Sequence, residues 1–381
     1  QRAARAASGD RARSIALRLA EIARDGRERV AEWEALEQAA RFAPTPEEQA
    51  DHWVDLARRA LEPPSPDLGL ARRALQEAVT ANPLHREAVE RLARLHLEEG
   101  KPESALALAD PLIRKAVESR DGDLERRLSR LAGEAARKMG ATGVAEERLR
   151  RVLELDPEDQ GTRLALARVL AGSGKDAEAI PLLEEVLRMP APPAGERVED
   201  LHLLLARCSA RAGDAARAVA EFEANWKVRG APPDLLREMI AAAEKAGDWR
   251  RMAEWLVPFI ESEPPGVKRF NAQIRLGDLY RDALQAPLEA LRWYRAAAAE
   301  GVSTKAALHK ALEAAVAAGE FQEAKGILLE LVGEEQDVLK KAQFHYAAAL
   351  LARDNLGDPD LTREHLWKAV DLNPDMTEAV E

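Results

Sequence analysis

The fold is decided by residues Arg126–Met189, which read RRLSRLAGEAARKMGATGVAEERLRRVLELDPEDQGTRLALARVLAGSGKDAEAIPLLEEVLRM. Gly140 is followed 34 residues later by Gly174, and Ala145 is followed at the same distance by Ala179. Each copy of the pattern reads as a helix, a turn with glycine and a second helix. A fixed period of this size, with small residues at fixed offsets, is typical of a helical repeat array.

The composition favours an extended all-α array. The chain has 381 residues, of which 46% are hydrophobic, 32% are charged and only 4% are aromatic. One globular domain of this length would be unusual, and the β-branched runs expected of strands are absent. The net charge of -11 repels phosphate backbones and anionic membranes over long range. Nucleic acid is therefore a disfavoured partner, although a local basic face would be compatible with this charge.

The cysteine count and the hydropathy exclude several classes of protein. Cys208 is the only cysteine, so no intramolecular disulfide and no cysteine-based zinc site can form. No apolar run approaches the roughly 18 to 20 residues needed to cross a bilayer, and residues 1–7 lack the apolar core of a signal peptide. We expect a soluble chain without direct membrane insertion, cytoplasmic by default, or extracytoplasmic if a signal lies outside this segment. Its start without Met and its end at Glu381, where another unit would begin, indicate a segment of a longer protein.

The sequence pattern of residues 126–189 recurs along the chain. It consists of a small residue in the first helix, glycine in the turn, alanine in the second helix and proline after it. It predicts a single solenoid over 1–381 with about ten units. The units are 12–45, 50–83, 86–119, 126–159, 160–193, 199–232, 233–266, 270–304, 305–338 and 341–376. Insertions are expected at 120–123 and 190–196, and long turns at 62–67 and 354–360.

Two stretches of sequence have the pattern of a known protein family. Residues 276–280 read LGDLY and residues 290–297 read ALRWYRAA, while Trp53, Leu56 and Ala57 begin another unit in the same phase. This pattern resembles the tetratricopeptide repeat family, in degenerate form, over nearly the whole chain. The resemblance implies a right-handed α-solenoid whose first helices line a concave side, along which partner peptides commonly lie.

The repeat phase predicts which residues pack. Within a unit the two helices must approach closely, which small residues allow at the pairs Ala93 and Ala105, Gly133 and Ala145, Ala167 and Ala179, and Ala206 and Ala218. One position of the second helix is predicted to fill the seam to the next unit, and it holds Leu149, Leu183, Phe222, Leu256, Tyr294, Leu328 and Leu366. His96, Cys208 and five tryptophans are also predicted to pack, whereas Trp226 is the candidate for exposure. The five are Trp53, Trp249, Trp255, Trp293 and Trp367.

Catalytic, cofactor-binding and metal-binding motifs are not found. Residues 172–175 read GSGK, but a phosphate-binding loop needs Ser or Thr where Asp176 stands and glycine where Val169 stands. Residues 354–360 lack the spacing of an EF-hand. The seven histidines form no i, i+4 pair. We therefore predict no catalytic residue, no cofactor and no metal site.

A row of arginines is the candidate contact surface for a partner. Carrying the family phase over places these residues on or near the inward side of the first helices: Arg58, Arg94, Arg130, Arg137, Arg168, Arg207 and Arg211. Guanidinium groups would bind acidic side chains or a C-terminal carboxylate. Arginine is common throughout the chain, with 43 arginines against 13 lysines, so the row is equally compatible with a solvated face. Arg168 and Arg207 are preferred because neither has a carboxylate three or four residues away on its own helix.

The leading interpretation is a noncatalytic scaffold or adaptor that binds a protein or peptide partner, with acidic side chains as its candidate contacts. The alternative is a regulatory, partner-recruiting repeat segment of a larger enzyme or signalling protein. An RNA-binding helical repeat is a third reading, weakened by the net charge and by the few aromatics available for stacking on bases. Self-association remains open.

Overall fold

The computed structural model describes residues 2–64 and 66–376, with side chains from Gly9 onward except that of Arg229. These residues form twenty α-helices and one π-helical turn, and no strand occurs among them. The all-α class predicted from the sequence is confirmed. The chain divides between Leu201 and His202 into two compact units, each of which is a stack of antiparallel helices.

The helices follow one another in pairs joined by short turns. The first unit contains α1 (Arg2–Asp25), α2 (Arg29–Arg41), α3 (Pro46–Ala60), α4 (Leu68–Ala81), α5 (Arg86–Glu98), α6 (Pro102–Glu118), α7 (Gly122–Lys138), α8 (Thr142–Leu155), α9 (Gln160–Gly172) and α10 (Asp176–Leu187). The boundary lies inside α11 (Val198–Ala212), and the second unit continues with α12 (Ala215–Arg229), α13 (Pro233–Ala246), α14 (Trp249–Ser262), α15 (Val267–Asp282), α16 (Pro287–Ala299), α17 (Thr304–Ala318), α18 (Phe321–Glu334), α19 (Val338–Leu351) and α20 (Pro359–Leu372).

Glycine and aspartate set the turns. Gly140 and Gly174 have φ angles of 73° and 76°, in the left-handed region that glycine occupies without strain, and they turn α7 into α8 and α9 into α10. Asp121 and Asp159 begin the helices α7 and α9 by accepting hydrogen bonds from backbone N–H groups of the first turn, at 3.1 and 3.0 Å.

Two segments expected as loops are shorter than predicted. Of residues 120–123, Asp121 already caps α7, and Gly122 and Asp123 lie within it. The additional length is helical because α6 and α7 each have 17 residues. Of residues 354–360, the first part belongs to a π-helical turn over Ala352–Leu356, and Pro359 opens α20. The segment 190–196 is a loop, as expected.

The predicted helix contacts are made by buried small residues. The buried members, with at most 1% of their surface exposed, are Ala93, Ala105, Ala145, Ala167, Ala179, Ala206 and Ala218. Gly133 is also buried, and a Cβ added to it would lie 2.9 Å from a methyl carbon of Leu149. The seam position is at most 2% exposed at every predicted residue except Leu366, which is half-buried.

The packing predictions hold for His96 and Cys208, which are 9% and 0% exposed. They also hold for Trp53 and Trp255, which are 7% and 0% exposed, while Trp293 is partly buried. The packing predictions for Trp249 and Trp367 and the expected exposure of Trp226 were wrong. Trp249, the first residue of α14, is 39% exposed, and Trp367, on the outer side of α20, is 63% exposed. Trp226 instead packs edge to face on the buried Trp255 with ring centroids 6.3 Å apart, because α14 covers it.

Candidate functional site

The first helices of successive pairs form one face of the first unit. Helix α3 contacts α5, α5 contacts α7, and α7 contacts α9, while the second helices pack behind them. Within each unit, we call the side formed by its odd-numbered helices the first-helix face of that unit. The predicted arginines all lie on these helices: Arg58 on α3, Arg94 on α5, Arg130 and Arg137 on α7, Arg168 on α9, and Arg207 and Arg211 on α11.

Arg168 and Arg207 have carboxylate partners outside their own helices. Both terminal nitrogens of Arg168 donate to Glu196, at 2.8 and 2.6 Å, and Glu196 lies in the loop before α11. Arg207 donates from Nε and one terminal nitrogen to Glu238 of α13, at 2.8 and 3.0 Å. The hydrogen bonds from Arg168 hold the pKa of Glu196 below its ordinary value. Both guanidinium groups are therefore paired, although neither has a carboxylate nearby on its own helix.

Other arginines of the row follow the same pattern. Arg58 pairs with Asp55 of its own helix at 3.0 Å and with Glu87 of α5 at 2.9 Å. Arg130 pairs with Asp159, the residue that caps α9, at 3.2 Å. Each of these cross-helix bonds joins one first helix to the beginning of the next. Four arginines of the row thus form ion pairs between successive repeats, which we call the ion-pair ladder. They are Arg58, Arg130, Arg168 and Arg207.

Arg137 differs from its neighbours in the row. It is exposed and has no ion pair or hydrogen bond with any described residue, whereas Arg94 pairs with Glu90 at 3.2 Å. Arg211 lies with a terminal nitrogen 3.7 Å from the sulfur of Cys208. Arg137 also lines a small cavity of about 160 Å³ between α7 and α9, whose floor is Leu149. It is the member of the predicted row best able to receive an outside carboxylate.

The second unit contains a larger groove that the sequence did not predict. It has a volume of about 440 Å³ and lies between the first helices α13 and α15, with α14 behind it. Its apolar lining comes from all three helices and consists of Ile240, Ala241, Leu256, Phe259 and Ala272. Phe259 is partly buried and is the largest apolar side chain of the lining. The groove therefore offers apolar contact to a side chain that enters from the first-helix face.

Polar groups of two kinds border this groove. Arg237 donates to Glu263 at 2.9 Å and stacks 5.4 Å above the Phe259 ring, so its charge is already engaged. Lys268 and Asn271, by contrast, are exposed and make no hydrogen bond or ion pair with the part of the chain that the structure describes. They lie three residues apart on α15 and therefore on one side of that helix. An ammonium and an amide beside an apolar lining can bind a carboxylate and the backbone of an extended peptide.

The sequence contained a signal for this groove that remained unused. Lys268 and Asn271 have the i, i+3 spacing of one helix face, and Phe259 is a large aromatic residue after the seam position of its helix. The row of arginines does not include them. No group of three or more histidine, cysteine, aspartate or glutamate side chains suited to a metal ion is found within residues 2–64 and 66–376. In the same described ranges, no helix is both long enough and apolar enough to span a bilayer.

Successive antiparallel helix pairs with small residues at their contacts define an α-helical repeat protein of the solenoid class. Residues 67–117 and 136–195 match two models of the tetratricopeptide repeat family. The two matches support the assignment to the tetratricopeptide repeat family that residues 276–280 and 290–297 led us to expect.

Similar solved structures include a tetratricopeptide repeat protein from Parabacteroides merdae, at 15% identity over 69% of this chain and 97% of that one, with a TM-score of 0.41. YrrB, described as a repeat protein of this family with an unusual peptide-binding site, is 19% identical over 53% of this chain and 99% of its own, with a TM-score of 0.43. A complex of Naa15 and Naa10 with HypK is matched at 14% identity over 96% of this chain and 59% of that one, with a TM-score of 0.44. Curated proteins give no match.

Proposed function

We propose that this chain is a noncatalytic scaffold or adaptor that binds protein or peptide partners along its first-helix face. The observation that carries the proposal is the groove between α13 and α15. Its apolar lining lies beside Lys268 and Asn271, which have no partner among the described residues. Apolar pockets with a few polar groups are typical of ligand-binding sites. The groove is suited to a segment with one large apolar side chain and a nearby carboxylate.

The preference for acidic partners rests on which cations are unpaired. Lys268 and Arg137 have no anionic partner among the described residues, so a ligand carboxylate can bind them without displacing another group. Arg168 and Arg207 remain candidate contacts because a guanidinium has five N–H donors, and each uses only two in its ion pair. A ligand at these two positions shares the arginine with Glu196 or Glu238. We therefore rank Arg137 and Lys268 above Arg168 and Arg207.

Binding of short peptides tests this proposal. Fluorescent peptides of about ten residues, which place Asp or Glu next to Leu or Phe, are titrated with the chain and compared with peptides in which Lys replaces the acidic residue. We expect the double substitution Lys268→Ala and Asn271→Ala to weaken binding of the acidic peptides by about tenfold, since it removes a charged and a neutral hydrogen bond.

A matched variant controls for loss of charge alone. Lys245, in the last turn of α13, is exposed and lies outside the groove, so Lys245→Ala should leave the affinity unchanged. The double substitution Arg168→Ala and Arg207→Ala examines the arginine row in the same assay. Equal affinity for acidic and basic peptides, or a Lys268 and Asn271 variant that binds like the unmodified chain, contradicts the proposed site. Self-association is a further part of the proposal, and its candidate surface lies elsewhere, on the first helix pair.

A further inference from the structure

Helix α1 carries an exposed aliphatic row. Ile15, Leu19 and Ile22 follow one another at spacings of four and three residues, which places them on one side of the helix. Their exposed fractions are 60%, 53% and 62%. Isolated exposed apolar residues are common on protein surfaces, but a continuous row along a helix is typical of an interaction surface.

A groove runs beside this row on the same helix pair. It has a volume of about 720 Å³, and Leu19 and Ile22 form its wall on α1. Small side chains, Ala23 of α1 and Ala31 and Ala35 of α2, also line it. A ridge of large residues thus lies next to a hollow lined by small ones. A two-fold symmetric contact requires a patch that is complementary to itself, and a ridge next to a hollow has this property.

The charges around the row and the groove are also self-complementary. Glu28 and Glu34 line the groove from the α2 side, and neither has an ion pair among the described residues. On the other side of the row, Arg11 and Arg18 are exposed on α1 and are equally unpaired within the described part of the chain. When the row of one copy lies in the groove of another, the Arg18 side of each α1 meets the acidic side of the other copy's α2.

We propose that this face binds a second copy of the chain, and that the helix pairs α1 and α2 of the two copies form a symmetric four-helix contact. The aliphatic row of each copy lies in the groove of the other, and Arg18 of each copy lies near Glu34 of the other. The row from Ile15 to Ile22 is about 10 Å long, at 1.5 Å per residue of α1, so its three side chains can lie in one groove. This surface is separate from the first-helix groove of the second unit, so failure of one proposal leaves the other standing.

Sedimentation of the full chain at about 1 to 100 µM tests the contact, and we expect a reversible dimer in this range. The double substitution Leu19→Lys and Ile22→Lys should weaken the dimer by on the order of 100-fold, because charges replace the centre of an apolar contact. Both residues are more than half exposed, so folding is preserved, and circular dichroism checks this. The control is Val267→Lys with Val338→Lys, which are 62% and 50% exposed in the second unit and should leave the dimer intact.

Charge exchange tests the arrangement of the two copies. Arg18→Glu alone and Glu34→Arg alone should each weaken the dimer by about tenfold, since each places like charges opposite one another. The two substitutions together should restore it, because the pair is re-formed with its signs reversed. A monomeric unmodified chain at the highest concentration overturns the proposal. A dimer that persists after Leu19→Lys with Ile22→Lys, or a charge-exchanged chain no better than the single variants, overturns it as well.

Discussion

Gly277 of α15 lies close to Tyr294 of α16, and Gly277→Ala measures how much that close approach matters. A Cβ at this position would lie 2.4 and 2.6 Å from two ring carbons of Tyr294. Carbon atoms in good contact are about 3.5 to 4.0 Å apart, so the ring or the helix must move by about 1 Å. The ring is held in place, because Tyr294 is fully buried and its hydroxyl donates to Asp278 at 2.7 Å.

The expected cost follows from two opposing effects. Overpacking of this kind costs about 1 to 3 kcal/mol, while alanine is favoured over glycine inside a helix by about 1 kcal/mol. A matched control separates them. Gly326 lies inside α18, and no atom lies within 4 Å of an added Cβ. Gly326→Ala therefore changes only the helix propensity, which is higher for alanine, and should stabilise the chain. The helix preference acts on both variants and cancels, so we expect them to differ in free energy of unfolding by the overpacking cost of about 1 to 3 kcal/mol, with Gly277→Ala the less stable.

Urea denaturation followed by circular dichroism measures the difference, and hydrogen exchange locates it. Exchange should increase in α15 and α16, which hold Gly277 and Tyr294, and should stay unchanged in the first unit. In a Tyr294→Ala background the added methyl meets empty space, so Gly277→Ala should then cost nothing further. If Gly277→Ala and Gly326→Ala shift the denaturation midpoint equally, the close approach between α15 and α16 is not a constraint on the fold.

Three further predictions concern ionisable groups. Glu125 is 4% exposed and accepts a hydrogen bond from Nε of Arg151 at 2.6 Å. Arg151→Ala leaves this buried carboxylate without its partner and should lower the free energy of unfolding by about 1 to 3 kcal/mol, measured by chemical denaturation. Replacing both residues, Glu125→Leu with Arg151→Leu, should lower it by less. His345 and His365 stack with their Nδ1 atoms 3.2 Å apart, and burial lowers the pKa of both from 6.5. The unfolded chain therefore binds protons first as the pH falls below about 6.5, and the folded chain should lose thermal stability in that range. The double variant His345→Phe with His365→Leu should lose less stability over the same range. An equal loss in that variant would refute the assignment. Arg168→Ala should cost no more than about 1 kcal/mol, since both partners of its ion pair are partly exposed, and a larger loss of thermal stability would show that its role is mainly structural.

The sequence was sufficient for the features that depend on local pattern. The period of 34 residues, the turn glycines Gly140 and Gly174, and the buried pair Ala167 and Ala179 all follow from spacing along one or two helices. A helix repeats its contacts at fixed intervals, so these positions are readable without knowledge of how units stack. The prediction for Trp249 failed at the end of a helix, because Trp249 is the first residue of α14 and is 39% exposed.

The pairing of the arginines was not readable in this way. The partners of Arg168 and Arg207 lie 28 and 31 residues along the chain, in the loop before α11 and on α13. Which carboxylate meets a guanidinium at that separation depends on the rotation and offset between neighbouring first helices. Local spacing contains no information on either quantity. The groove at Lys268 was not predicted for the same reason, because its lining residues come from three helices and depend on how these helices pack.

In this chain the ion-pair ladder includes arginines that we propose as ligand contacts. A repeat unit cannot bury its apolar face alone, so the array is held together by contacts between neighbours, and pairs such as Arg58 with Glu87 and Arg130 with Asp159 contribute to those contacts at the surface. A ligand carboxylate that binds a paired arginine must share it with the next repeat, whereas one that binds Arg137 or Lys268 leaves the contacts between repeats as they are. Salt screens the ladder and the ligand contacts alike. Selective loss of ligand affinity in Arg137→Ala or Lys268→Ala, with unchanged thermal stability, is therefore the signature of a binding residue in this chain, and loss of both is the signature of a residue of the ladder.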